Sequence, residues 1–119
     1  MEKALGIGGV FFRSQDPETL GRWYREHLGI DRVPGDYETP PWRQDSGETV
    51  FAPFPEDSDY FGKEKQWMIN FRVRDLDAMR AQLIAAGVEV SGTEDYPNGR
   101  FARLQDPEGN PIELWEPKS

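Results

Sequence analysis

Phe12-Arg13-Ser14-Gln15-Asp16 returns half a chain later as Phe71-Arg72-Val73-Arg74-Asp75, and this echo decides the fold. After each Asp come apolar residues at helical spacing: Leu20, Trp23, Tyr24 and Leu28 in the first half, Leu76, Met79, Leu83 and Ala86 in the second. Asp16 and Asp75 stand where an N-cap carboxylate accepts from free amides. Pro17 suits a first helical turn, and Gly29 and Gly87 suit the left-handed residue that ends a helix. Further on, Gln44-Asp45-Ser46-Gly47 is matched by Gln105-Asp106-Pro107-Glu108-Gly109, each a turn signal before a short apolar strand, Val50-Phe51-Ala52 or Ile112-Glu113-Leu114-Trp115. The chain is therefore expected to run strand, helix, strands, twice. That is an α+β fold of tandem paired βαβββ modules, 1–55 and 67–119, joined by a linker at 56–66 within a single domain.

Alternation assigns the faces of the sheet, because successive strand residues point to opposite sides and a helix covers the more apolar one. Ile69, Phe71 and Val73 are expected under the helix, with Ile112, Leu114, Ala102 and Leu104. The opposite face then carries Met68, Asn70, Arg72, Phe101, Arg103, Glu113 and Trp115. The same parity adds Gly9, Phe11 and Arg13 from the first half, and the repeat adds Trp42 and Phe51. A solvated sheet face more often carries Thr, Lys and Glu, so this aromatic and arginine-bearing face is expected to curve around a ligand cavity or to pack on another subunit.

Composition narrows the function. The chain has 119 residues, enough for one compact domain, with 36% hydrophobic residues and 7 Phe, 4 Tyr and 4 Trp to fill a core. Fourteen Lys and Arg face 22 Asp and Glu, a formal charge of -8 that repels a phosphate backbone, so no nucleic-acid partner is expected. The absence of Cys excludes disulfides, thiolate metal sites and thiol nucleophiles, and the one His excludes a His-rich metal centre. No apolar run is long enough to cross a bilayer and Met1-Glu2-Lys3 does not begin a signal peptide, so the expectation is a cytoplasmic protein with no membrane partner. Asp57-Ser58-Asp59 lacks the later ligands of an EF-hand, and no P-loop, GxGxxG or GxSxG sequence occurs.

Four motifs in order, on the repeat, resemble the vicinal oxygen chelate superfamily of glyoxalases, bleomycin-resistance proteins and extradiol dioxygenases. They are the strand leading to Asp16-Pro17, Trp23-Tyr24-Arg25-Glu26-His27-Leu28-Gly29, Val73-Arg74-Asp75-Leu76-Asp77, and Asp106-Pro107-Glu108-Gly109-Asn110-Pro111-Ile112-Glu113-Leu114-Trp115. Together they span nearly the whole chain, which looks like a small glyoxalase-like bacterial member. The resemblance implies βαβββ modules curved around a shared cavity, often with a homodimer completing it. In metal-using members it also implies ligands at four strand positions. Here those positions hold Gly9, Phe51, Met68 and Glu113, and one carboxylate does not supply the several O or N donors a hard divalent ion needs. No cofactor and no metal ligand set are expected, a divalent metal remaining only as the alternative.

The candidate site residues follow from the face and the resemblance. Glu113 is the candidate catalytic base or ligand contact, its structural alternative being an ion pair with Arg72 or Arg103. Arg13, Arg72 and Arg103 suit an anionic group, and Phe11, Trp42, Phe51, Phe101 and Trp115 suit a planar or apolar body, with Met68 and Asn70 beside them. His27 is expected to be a half-buried structural residue on its helix. In the linker, Tyr60 or Phe61 is a candidate lid. The leading expectation is metal-free binding of a small aromatic or anionic molecule. The alternatives are a metal-dependent lyase, isomerase or dioxygenase of the same superfamily, and an interaction module whose concave face a partner chain fills.

Overall fold

The computed structural model describes residues 1–118. Its elements are α1 (Pro17–Leu28), β1 (Ile69–Arg72), α2 (Leu76–Ala85), β2 (Glu94–Tyr96), β3 (Gly99–Gln105) and β4 (Pro111–Pro117). The fold is α+β, with one four-stranded sheet in the order β1-β4-β3-β2 and two helices. β1 runs parallel to β4, while β2–β3 and β3–β4 are antiparallel.

Both helices begin and end as their sequences dictate. The Asp16 carboxylate accepts from the Thr19 amide at 3.2 Å, Pro17 opens the first turn and Gly29 closes the helix at φ 72°. Asp75 accepts from the Ala78 amide at 3.0 Å, and the residue after the Ala86 cap is Gly87 at φ 82°. Two further carboxylates reach these termini from the chain's end. Glu108 accepts from the Gln15 amide and the Ser14 hydroxyl, and Glu116 accepts from the Leu76 amide at 2.8 Å. Glu116 satisfies an amide that the start of α2 leaves free, Glu108 ties down the residues just ahead of the α1 cap, and both lie where the helix dipole favours negative charge.

The core lies between α2 and the covered sheet face: Leu76, Leu83, Ala102, Leu104, Ile112 and Leu114 are buried together. Burying one such aliphatic side chain contributes about 1.5–3 kcal/mol, so this cluster dominates the stability of the second half. Trp23, Tyr24 and Leu28 of α1 pack against the same cluster. The Tyr24 hydroxyl donates to Asp106 at 2.7 Å. Asp106 is itself buried, and it also accepts from the backbone amides of Glu108 and Asn110 and from the Asn110 side chain. The Asp106–Asn110 turn is thus a latch that fastens the first helix to the second module. Ala86, expected on the apolar side of α2, is exposed beyond the last helical turn.

The expected strands of the first half do not pair. Residues 1–16 and 29–55 contain no strand among the described residues, and the Cα radius of gyration, 15.3 Å, exceeds the about 13.5 Å of a tightly packed chain of this length. Only the second module is complete as strand, helix and three strands; of the first, the helix is in place.

Candidate functional site

The open face of the sheet, opposite the helices, is built in two cross-strand rows. Asn70, Glu113 and Arg103 are register partners across β1, β4 and β3. Arg72, Trp115, Phe101 and Glu94 form the next row, which extends onto β2. One row is polar and its neighbour is aromatic at the centre, because every second residue of β3 and β4 reaches this side.

Glu113 is 6% exposed and its two oxygens have separate donors. Oε1 accepts from the Asn70 amide at 2.8 Å, and Oε2 accepts from the Tyr60 hydroxyl. Tyr60 comes from the linker and is held a second time. The Arg103 guanidinium lies 4.5 Å from its ring centroid and donates to its carbonyl oxygen at 2.6 Å. Burial, followed by the bond to Glu113, pushes the Tyr60 phenol up to about 12, so it remains a proton donor across the neutral range. Arg103 also lies 3.7 Å from Glu94, which accepts from the Tyr96 hydroxyl.

In the aromatic row Phe101 and Trp115 are parallel, with 4° between planes and centroids 6.1 Å apart, and Tyr96 meets Phe101 edge-on at 5.7 Å. The Trp115 indole N–H donates to the Asn98 carbonyl at 3.0 Å. Its placement requires Gly99: the backbone there has φ 138°, and a Cβ would lie 2.7 Å from the indole nitrogen. Arg72 is turned to the first half, donating to the carbonyls of Asp45 and Ser46 at 2.7 and 3.2 Å.

The structure therefore brings together Asn70, Arg72, Phe101, Arg103, Glu113 and Trp115, all from the second module. Met68 lies beside them, lining an open groove of about 1060 Å³ that also touches Tyr60, Arg103 and Val88. The first-half residues are not gathered. Phe11 is 94% and Phe51 76% exposed, Trp42 is exposed at 37%, and Arg13 lies apart in a smaller hollow with Lys65 and Glu108. The reason is the missing strand pairing: without a ladder, side-chain parity cannot direct Phe11, Trp42 or Phe51 onto a shared face. The ion pair weighed as the structural alternative for Glu113 does not form, since among the described residues neither Arg72 nor Arg103 pairs with Glu113, whose partners are neutral donors. His27 is half-buried and tilted against Trp23, centroids 5.2 Å apart, far from the open face in role and contact. Glu94 and Tyr96 were not legible as site residues, because the short strand β2 carries no apolar alternation.

The donor set does not fit a metal. Among the described residues no three His, Cys, Asp or Glu side chains converge, and Glu113, the one carboxylate at the four implied positions, already accepts from two donors. As a carboxylate under a phenol and an amide, Glu113 is arranged to accept hydrogen bonds.

Fold and motifs together define a class. A profile of the Glyoxalase-like domain matches residues 9–115, and the chain belongs to that family. Among solved structures, TnmS3, an antibiotic binding protein from Streptomyces sp. CB03234, is 28% identical over 97% of this chain and 100% of its own, with a TM-score of 0.64. A glyoxylase/bleomycin resistance protein/dioxygenase domain from Frankia sp. EAN1pec is 22% identical over 98% and 100%, with a TM-score of 0.62, a likeness of fold. A glyoxalase/bleomycin resistance protein from Streptomyces sp. CB03234 is 38% identical, but the match covers 43% of this chain and 46% of that one, with a TM-score of 0.40. A comparison with curated proteins returned no match. No helix among the described residues is long and apolar enough to cross a membrane.

Proposed function

We propose that this chain binds a small aromatic molecule on the open face of its sheet without using the metal of its enzymatic relatives. The observation that carries the reading is the parallel Phe101–Trp115 pair set directly beside the buried Glu113 row. A planar body stacks on the first, and polar substituents meet the second. The mismatch of Gly9, Phe51 and Met68 to metal ligation argues against the metal-dependent lyase and dioxygenase alternatives. TnmS3, described as an antibiotic binding protein, supports binding over turnover. The setting proposed for the protein is the cytoplasm. Calorimetric titration of the full chain with small aromatic compounds, repeated on Trp115→Ala, tests the reading: binding is expected in the parent and is expected to weaken at least about tenfold when the stacking surface is removed. Equal affinity in the two proteins would move the ligand elsewhere.

A homodimer forms the second part of the proposal, favoured by the exposure of Leu5, Phe11, Val50 and Phe51 on first-half segments with unpaired backbone. A second copy pairing with those segments would complete both modules. Sedimentation across a concentration series is expected to show a monomer–dimer equilibrium, and a monomer at every concentration would end this part.

A further inference from the structure

Tyr60 sits on the open face as a bound phenol would. Its hydroxyl donates to a buried carboxylate, its ring lies under a guanidinium, and its own segment has no strand or helix to hold it there. Beyond these contacts Arg103 holds its carbonyl oxygen at 2.6 Å, and the rest lie within its own stretch of chain: it touches Phe54, which in turn meets Phe61, and its amide donates to Ser58. Tyr60 and Arg103 also line the rim of the groove that runs on past Val88, Leu104 and Ile112, so the side of Tyr60 away from Glu113 is open. We propose, building on the aromatic-binding reading above, that the ligand is a neutral hydroxyaromatic that displaces Tyr60, its hydroxyl donating to Glu113 and its ring taking the place under Arg103.

The chemistry of the pocket selects this class over an aromatic acid. Glu113 and the Asn70 amide fix one acceptor oxygen, leaving Oε2 to be met by a donor. A carboxylate head placed there would set two acceptors against each other, whereas a phenolic O–H restores the bond that Tyr60 gives up. Arg103 contributes a flat cationic surface that suits the face of an electron-rich ring. Burial and the bond to Glu113 push the Tyr60 phenol up, and the same surroundings favour the protonated form of a phenol seated there. Because Tyr60 competes from within the chain, affinity for a free phenol is scaled down by the fraction of time the lid is unseated.

Calorimetry on the full chain with 4-methylphenol, toluene and 4-methylbenzoate, using the parent, Tyr60→Ala and Tyr60→Phe, tests the inference. 4-Methylphenol is expected to bind Tyr60→Ala at least about tenfold more tightly than the parent, and more tightly than toluene by a similar factor. Tyr60→Phe, which keeps the ring and loses the donor, is expected to fall between the parent and Tyr60→Ala and guards against a folding failure of the alanine variant. Adding Glu113→Gln to Tyr60→Phe is expected to shrink the preference for 4-methylphenol over toluene. If all three compounds bind and Trp115→Ala weakens them, but none is preferred, the hydroxyaromatic assignment is wrong while aromatic binding stands. If 4-methylbenzoate binds best, the site is an anion site at Arg103. If no compound binds any variant, both the assignment and the aromatic-binding reading fall.

Discussion

The two halves of the molecule carry the same signals and differ in outcome. In the second half, β4 holds its prolines at its two ends, Pro111 and Pro117, β3 has none, and the alternating Ala102, Leu104, Ile112 and Leu114 are buried against α2. The matching first-half region carries Pro34, Pro40, Pro41, Pro53 and Pro55, each lacking an amide for a ladder, and offers few aliphatic residues at alternate positions. Helix α1 forms because its cap and its apolar stripe are local, and it docks because the second half supplies the surface. Strands need a partner, and the first-half strands have none within the described chain. Turn and cap signals therefore fix helices in isolation, whereas strands depend on who is beside them.

Removing a core side chain gives the largest contrast. Leu114→Ala, at a position with no exposure, is expected to cost about 2–5 kcal/mol in denaturant unfolding. Phe51→Ala, at the corresponding turn-and-strand region of the first half, is expected to cost less than about 0.5 kcal/mol at dilute concentration. A cost for Phe51→Ala that grows with protein concentration would show that a second copy covers it, and a large cost for the monomer would overturn the contrast.

Glycine substitution sharpens the same comparison at a smaller scale. At Gly99 the backbone lies at φ 138° and a Cβ would press on the Glu116 carbonyl, so Gly99→Ala is expected to cost about 1–3 kcal/mol and to displace Trp115, visible in its fluorescence. Gly47 lies against the far end of the flexible Arg72 side chain, so Gly47→Ala is expected to shift that guanidinium from the exposed Asp45 and Ser46 carbonyls with little loss of stability. Tyr24→Phe tests the join between the halves: losing the donor to Asp106, which keeps three others, is expected to cost about 1 kcal/mol and to raise hydrogen exchange in α1 more than in α2.

Much of the second module was legible for a plain reason. The run Ile69 to Val73 and the run Ile112 to Trp115 alternate without interruption, so parity alone put Asn70, Arg72, Glu113 and Trp115 on one side, where the register places them. The helix caps at Asp16 and Asp75 were legible because capping is a contact across three residues. Tyr60 was legible only as one of two candidate lids, since its contact with Glu113 spans 53 residues and no periodicity in the linker singles it out. Phe11, Trp42 and Phe51 were misplaced because alternation describes a strand's two faces and says nothing of whether the strand finds a neighbour.

The smallest expected effect lies in the alkaline stability of the lid. In the folded chain the Tyr60 phenol is raised from its ordinary value of 10 to about 12, chiefly by burial and then by donation to Glu113. A group whose folded value is raised contributes stability that is fully present below its unfolded value and is lost as pH climbs through the folded one. The contribution is thus intact at neutral pH and fades between about 10 and 12, and with 36% of Tyr60 exposed, solvent screening keeps it small. Tyr24 is raised as well, by burial and by Asp106, so the whole protein weakens in alkali for more than one reason. The informative quantity is therefore the difference between the parent and Tyr60→Phe in urea unfolding at matched pH. That difference is expected to favour the parent at neutral pH and to shrink as the phenol ionises. If it stays constant through pH 12, the Tyr60 hydroxyl does not hold the linker to Glu113 in solution, and the second half keeps its open face free of the chain's own lid.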